Sequence, residues 1–277
     1  MTLLDGKKIK EEKLEELKSE ISSLDRKPGI VVIQVGNNES SNIYIKNKEK
    51  MALSLGCNFE HIKFDEDVNE DLILSKIDKL NEDKTIDGII VQMPLPSNLN
   101  TSKILNRVDY KKDIDGLTDY NAGLLFHNKN GFTPCTPKGI MEMLKYYNIN
   151  VSGKHVVIVG RSDLVGKPLS ILMLNSNATV SICHSYTSNL SEITNKADIL
   201  ISAVGKKDII NSSMIKEGCI VIDVGITRID GKIYGDVNFD DVKDKASYMT
   251  PVPGGVGQMT VLSLFQNLLS SYRKNNN

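Results

Sequence analysis

Apolar residues follow two alternating rhythms along this chain. Residues 6–23 set Ile9, Leu14, Leu17 and Ile21 at helical spacing, with lysines and glutamates between them. Residues 29–35 (GIVVIQV) are instead a short β-branched run, closed by the turn signal Gly36-Asn37-Asn38. Such a run fits a strand buried on both faces, as in a parallel sheet. The alternation continues with a helical pattern over 40–55 closed by Gly56, a strand over 58–64, a helix over 69–81 and a third strand over 86–91. That strand ends at Gln92-Met93-Pro94-Leu95-Pro96, where two prolines fix a non-helical turn.

Residues 109–138 break the rhythm. They are rich in Asp, Gly and Pro and show little periodicity. A stretch of that length without a clear element is usually functional or a junction between domains. Pro137 suits the first turn of a new helix, and the domain boundary is placed there. A second series then predicts strands over 155–159, 179–183, 199–203 and 220–224, and helices over 167–176 and 190–195. The apolar helix expected over 260–269 lies beyond the last strand, and its periodicity does not say which domain it covers. Residues 274–277 read as a frayed tail. Alternating strands and helices imply an α/β fold of two mostly parallel βαβ domains. Ligands of such sheets sit beyond the carboxyl ends of the strands.

Composition narrows the class without choosing an activity. The chain has 277 residues, 34 basic and 35 acidic, so it lacks the basic excess of a nucleic-acid-binding domain. No run approaches the length of a membrane span, and residues 1–5 carry no apolar signal region. A cytoplasmic protein is expected. Cys57, Cys135, Cys183 and Cys219 form no CxxC pair and are expected to be reduced and mostly buried. His61, His127, His155 and His184 show no metal-ligand spacing, so no metal is expected.

The segment 160–166 (GRSDLVG) follows a buried strand and opens a helix. Gly160 permits a tight turn and close backbone approach, and Gly166 lets the helix pack on the strand. Amides at the helix start favour a pyrophosphate. The middle glycine of a GxGxxG pattern is replaced by Ser162, and Lys167-Pro168 rules out a Walker A loop. NAD sites usually carry an acid at the end of the second strand. Here Cys183 is followed by His184-Ser185-Tyr186-Thr187-Ser188, with no acid, and Arg161 could pair with a 2′-phosphate. The pattern therefore favours NADP, with NAD as the alternative.

Tyr44 and Lys48 lie four apart, on one face of the helix after the first strand. Most lysines on such a helix are simply solvated. This one sits near the carboxyl edge of the sheet beside an aromatic ring, and a partly desolvated lysine can serve as a general acid or base. Gln92 ends the third strand, where its amide could meet a substrate carbonyl or the lysine. Asp115, in Lys112-Asp113-Ile114-Asp115-Gly116, is either a ligand-binding carboxylate or a loop cap.

These residues fall in motifs that occur together. V-G-x-x-x-S-x-x-Y-x-x-x-K ends at Lys48, and D-G-I-I-V-Q-M-P-L-P runs from Asp87 to Pro96. K-D-I-D-G, P-C-T-P-x-G, G-R-S-x-x-V-G-x-P, D-V-G-I and T-P-V-P-G-G-V-G follow in order. Over residues 3–269 the chain closely resembles the bifunctional methylenetetrahydrofolate dehydrogenase/cyclohydrolases. The resemblance implies hydride transfer from 5,10-methylenetetrahydrofolate to NADP, then hydrolysis of the methenyl product to 10-formyltetrahydrofolate. It implies an N-terminal catalytic domain of residues 1–138, to which 260–277 return, and a Rossmann-type cofactor domain of residues 139–259. It implies a homodimer formed through the cofactor domains.

By the same resemblance Lys48 is the key cyclohydrolase residue, Tyr44 packs on the folate, Gln92 supports the lysine and Asp115 holds the pterin. Val91, Met93, Pro253, Gly254, Gly255, Val256 and Gly257 are implied on the folate side. Gly160, Arg161, Ser162, Val165, Gly166, Pro168, Ser185 and Ile226 are implied on the cofactor side. Three positions depart from the family pattern: Tyr186 replaces a frequent basic residue, Gln258 a proline, and Thr227 an asparagine. The rival readings are a monofunctional dehydrogenase of the same fold and a decayed enzyme kept as a nucleotide-binding scaffold. The joint presence of Lys48, Gln92 and Asp115 speaks against the first, and retention of Lys48 and the 254–257 loop against the second.

Overall fold

The computed structural model describes residues 1–276. The chain divides into two compact units, Met1–Glu12 with Pro134–Leu262, and Lys13–Thr133 with Ser263–Asn277. In chain order, β1 (Thr2–Leu3) leads into α1 (Gly6–Ser22), β2 (Gly29–Val35), α2 (Glu39–Ser54), β3 (Asn58–Phe64), α3 (Glu70–Glu82) and β4 (Gly88–Val91). Helices α4 (Thr101–Leu105), α5 (Asp119–Phe126) and α6 (Cys135–Tyr146) follow.

In the unit built on residues 13–133, β2 lies between β3 and β4 in a parallel three-stranded sheet. Every residue of β2 is buried, which explains its unbroken apolar sequence: a central parallel strand is covered on both faces. Edge strand β3 has no fully buried residue, and Phe59, Ile62 and Phe64 are half-buried among exposed polar neighbours. Val31, Ile33, Ile73, Ile77 and Ile89 form one continuous core. The side chains of Asn38, Asn69, Asn100 and Thr118 cap α2, α3, α4 and α5 by accepting from the amides of Ser41, Asp71, Lys103 and Asn121.

Helix α5 corrects the expectation that 109–138 holds no element before its end. It is eight residues long and includes Gly123, too short and too weakly patterned to register as periodicity, and it starts where Thr118 caps it. Helix α4, five residues long, escapes notice for the same reason.

The second half of the chain adds β5 (His155–Val159), α7 (Gly166–Asn175), β6 (Thr179–Cys183), α8 (Leu190–Thr194), β7 (Ile199–Ser202) and β8 (Ile220–Asp223). Then come β9 (Thr227–Ile229), β10 (Lys232–Tyr234), α9 (Phe239–Val242), β11 (Tyr248–Met249) and α10 (Val256–Asn276). Six parallel strands form one sheet in the order β1-β11-β8-β7-β5-β6. The chain leaves β5 to build β6 on one side and then returns to build β7 on the other. The carboxyl end of β5 is therefore the switch point of a doubly wound sheet, the usual place for a ligand.

The two-residue strands β1 and β11 leave no sequence pattern. The β9–β10 hairpin was legible in principle, since Asp230-Gly231 sits at its turn with both residues at positive φ. Helix α10 is longer than the expected 260–269 and continues through Asn276, so the tail is helical that far; Asn277 lies outside the described residues. Its later turns belong to the unit of residues 13–133. There Asn267 Nδ2 donates to Ile114 O at 2.9 Å, and the Ser271 hydroxyl bonds Asp87 O and Lys111 O. All four cysteines are free and buried, and burial pushes the Cys57 thiol up to about 12. No helix among the described residues is long and apolar enough to cross a membrane.

Candidate active site

In the unit of residues 13–133, the carboxyl ends of β2 and β4 deliver the first group of residues. Helix α2 starts directly after β2 and carries Tyr44 and Lys48 one turn apart. Lys48 is half-buried, and its Nζ donates to Gln92 Oε1 at 3.0 Å. Gln92 follows β4, tied to the sheet by its own amide donating to Ile33 O at 2.8 Å. Its side-chain Nε2 donates to Met93 O at 2.9 Å. That bond fixes which way the amide points and turns its oxygen to the lysine. Met93 O also accepts from Ser41 Oγ at 3.3 Å. Tyr44 is 39% exposed, a ring left open to a ligand, whereas Val91 is buried in the core.

The segment that carries Asp115 lies along β4, because Ile89 N donates to Lys112 O at 2.8 Å and Ile114 occupies the space beside Gly88. Its neighbours have structural work. Lys112 Nζ donates to the carbonyls of Leu80, Asn81 and Asp83 at 2.7–2.9 Å, closing the end of α3. Asp113 is buried and accepts from Leu117 N, Thr118 N, Thr118 Oγ1 and Asn121 Nδ2 at 2.7–3.0 Å. Burial raises its carboxyl above the usual range, against the pull of those donors. Asp115 itself is half-buried, and among the described residues no hydrogen bond or ion pair uses its carboxylate. Spacing alone could not tell the loop-holding aspartate from the free one; the hydrogen bonds do.

The other unit carries the glycine turn. Gly160 follows β5 at φ +125°, and a Cβ there would lie 2.6 Å from Ala203 O. A Cβ on Gly166 would collide with Gly160 O. Only glycine at both positions lets the turn close on itself. Val165 precedes α7 without a side-chain cap, Lys167 N donates to Ser162 O at 3.1 Å and Pro168 has no N–H, so the Gly166 amide is the one the first turn leaves for an anion among the described residues. Ser162 Oγ accepts from Val165 N at 3.2 Å, and Pro168 lies buried in the first turn. Arg161, Ser162 and Ser185 are exposed, as is Ile226. The backbone exposed at Gly160 and Gly166 suits a dinucleotide pyrophosphate.

Below this rim are two buried carboxylates that the sequence reading did not assign. Asp223 ends β8 and accepts from Gly225 N, Asp236 N and Val237 N at 2.9–3.1 Å. Asp236 accepts from Ser202 Oγ, Val204 N and Lys206 N at 2.7–2.8 Å. Together they hold the loops after β7 and β8, including the one that presents Ile226. Burial pushes Asp223 up to about 7, with the charge of Asp236 adding to the rise. Asp223 stood in the D-V-G-I motif; an acid at the end of an apolar strand was the available signal.

The 253–257 loop also belongs to this unit. Gly254 O accepts from Lys7 N at 3.0 Å, and Gly6 lies so close to Gly255 O that a Cβ would clash. Pro253 and Gly257 are exposed, while Gly255 and Val256 are buried.

A doubly wound unit with a glycine turn at its switch point, together with a lysine–glutamine pair on a second α/β unit, defines a nicotinamide-dependent enzyme of two domains. The catalytic-domain model of the tetrahydrofolate dehydrogenase/cyclohydrolases matches residues 4–115, and their NAD(P)-binding-domain model matches 134–276. The chain belongs to the bifunctional tetrahydrofolate dehydrogenase/cyclohydrolase (FolD) family, and it is both a methylenetetrahydrofolate dehydrogenase and a methenyltetrahydrofolate cyclohydrolase. It is 48% identical over 276 residues to the bifunctional protein FolD of Hydrogenobaculum, with 99% of each chain covered. Its fold matches the FolD crystal structure from Campylobacter jejuni with a TM-score of 0.97, at 43% identity and 99% coverage of each chain. The Trypanosoma brucei enzyme, solved with NADP and an inhibitor, gives a TM-score of 0.96 at 32% identity, covering 100% of this chain and 99% of that one.

Proposed function

We propose that Lys48 is the proton-transfer residue of the cyclohydrolase, that Gln92 positions it, and that NADP is the cofactor of the dehydrogenase. The Lys48–Gln92 hydrogen bond, 3.0 Å long, carries this reading. The methenyl group is already a cation, so its hydration needs a base and not an electrophile. Lys48 Nζ takes a proton from the water that adds to the methenyl carbon. It then returns a proton to the ring nitrogen as the carbon–nitrogen bond opens to the formyl product. The Gln92 oxygen, fixed through Met93 O, accepts from the ammonium and keeps it in place. Tyr44 covers the pterin with its open ring, and Asp115 accepts hydrogen bonds from the pterin, its neighbour Asp113 being occupied by the loop. Met93 adds a further folate contact beside Gln92.

A nicotinamide held there would supply the hydride acceptor for the methylene carbon, a transfer that asks the protein for alignment and no acid. Gly160, Ser162, Val165, Gly166 and Pro168 shape the pyrophosphate cradle, Ile226 gives an apolar surface for the nicotinamide, and Arg161 with Ser185 takes the 2′-phosphate. The protein works as a homodimer in the cytoplasm. Support for the dimer comes from edge strand β6, whose Ile182 is 39% exposed, and from α7, whose Leu174 is exposed. Four cysteines outside any disulfide suit a reducing compartment.

The test is to mix the purified protein with methylenetetrahydrofolate and either NADP or NAD, following reduced cofactor and methenyl product separately. Faster reduction with NADP, and methenyl consumption that is lost in Lys48→Met, are the expected results. Equal methenyl hydrolysis by that variant removes Lys48 from its role.

A further inference from the structure

Two cations stand on the glycine turn, and they are in different situations. Lys167 is neutralised by Asp163, 2.6 Å away. Arg161 has no ion pair among the described residues. Its guanidinium carbon lies instead 5.5 Å from the centroid of the Tyr186 ring, within cation–π range. The contact follows from topology. Strands β5 and β6 are parallel neighbours with Val159 opposite Cys183, so the loops leaving them, one with Arg161 and one with Tyr186, emerge side by side.

Tyr186 is 82% exposed, a large ring left in water. It is nonetheless fixed at its base. Its amide donates to His184 Nδ1 at 3.2 Å, and its ring stands edge-on to the His184 ring, with centroids 6.2 Å apart. The turn is closed at both ends, His184 N donating to Thr187 Oγ1 and Thr187 N to His184 O, each at 2.8 Å. Among the described hydrogen bonds none uses the Tyr186 hydroxyl, so the ring face is what the position offers.

We propose that Tyr186 is a specificity-determining residue for the cofactor. Its ring holds the Arg161 guanidinium next to the Ser185 turn with the N–H edge free, so that one positioned cation selects dinucleotides bearing a 2′-phosphate over those with a free 2′-hydroxyl. A guanidinium binds phosphate through paired N–H groups and stacks on aromatic faces at the same time. The loop 184–188 contains no lysine or arginine to share the phosphate. The inference rests on the reading of NADP as the cofactor.

Calorimetry on the full-length protein tests it with NADP, NAD, adenosine 2′,5′-bisphosphate and AMP, comparing wild type, Tyr186→Ala and Tyr186→Phe. Tyr186→Ala should weaken NADP and the bisphosphate by about fourfold and leave NAD and AMP unchanged, the size expected for one exposed cation–π contact. Tyr186→Phe, which keeps the ring, should bind like wild type. The proposal is overturned if Tyr186→Ala weakens NADP and NAD alike, if it changes neither, or if Phe and Ala behave the same. A wild type that binds NAD as tightly as NADP overturns the cofactor reading, and the proposal with it; that failure shows before any variant is made.

Discussion

Lys48 Nζ donates to Gln92 Oε1 at 3.0 Å, while the nitrogen of the same Gln92 amide is committed to Met93 O at 2.9 Å. The glutamine is thus oriented by backbone and in turn orients the lysine. Lys48→Met should lower methenyl hydrolysis by at least about a hundredfold, the usual worth of a positioned proton-transfer group. Thermal unfolding should stay close to wild type, because the lysine is half-buried on a helix surface. Gln92→Ala should cost hydrolysis less than Lys48→Met does. Hydrolysis rates set beside melting curves separate lost chemistry from lost fold.

The two aspartates of Lys112-Asp113-Ile114-Asp115-Gly116 should behave differently. Asp115→Asn is expected to weaken folate binding by about tenfold, as for one hydrogen bond to a charged group, with dinucleotide affinity unchanged. Asp113→Asn replaces a carboxylate that accepts from four donors, so its cost should appear in urea unfolding. Equal folate affinity in wild type and Asp115→Asn would remove Asp115 from the site.

Asp223 supplies a dependence on pH. Its folded-state pKa is raised to about 7 by burial, above that of a carboxylate in the unfolded chain. The folded state therefore binds the proton more tightly. The resulting stability is complete below the unfolded pKa and is lost as pH rises through the folded one. Between about pH 5 and about pH 8 this amounts to about 3 kcal/mol. Asp223→Asn should flatten that part of the profile, measured as the difference between variant and wild type in urea unfolding at each pH. A slope unchanged by the substitution would show that Asp223 does not titrate in this window.

Lys10 holds Gln258, the residue that departs from the family's common proline. Its Nζ donates to Gln258 Oε1 at 3.1 Å, and burial lowers the lysine below its ordinary pKa. Lys10→Met is expected to raise the KM for folate about threefold with little change in kcat, from one lost hydrogen bond. On a Gln258→Pro background the same substitution should have no effect, since the side-chain amide that the amine holds is gone. Steady-state kinetics on the four proteins of the cycle measure the coupling; additive effects would show that the clasp has no part in holding the loop.

Much of this protein is determined by sequence alone. Short, continuous β-branched runs such as 29–35 and 155–159 read as central strands, because a central parallel strand is buried on both faces. Gly160 and Gly166 are dictated by a turn that leaves no room for a Cβ. The ordered motifs, from Val35 to Gly257, specify the family. Tertiary structure decided the rest. It distinguished Asp115 from Asp113, joined Lys48 to Gln92 across 44 positions, and brought Arg161 to the ring of Tyr186. It also revealed the buried pair Asp223 and Asp236, and a helix, α5, that begins at its cap and not at any periodic pattern. The physical reason is range. Periodicity reports which face of an element is buried, whereas a hydrogen bond or a stacked cation depends on distances between segments that only the folded chain sets.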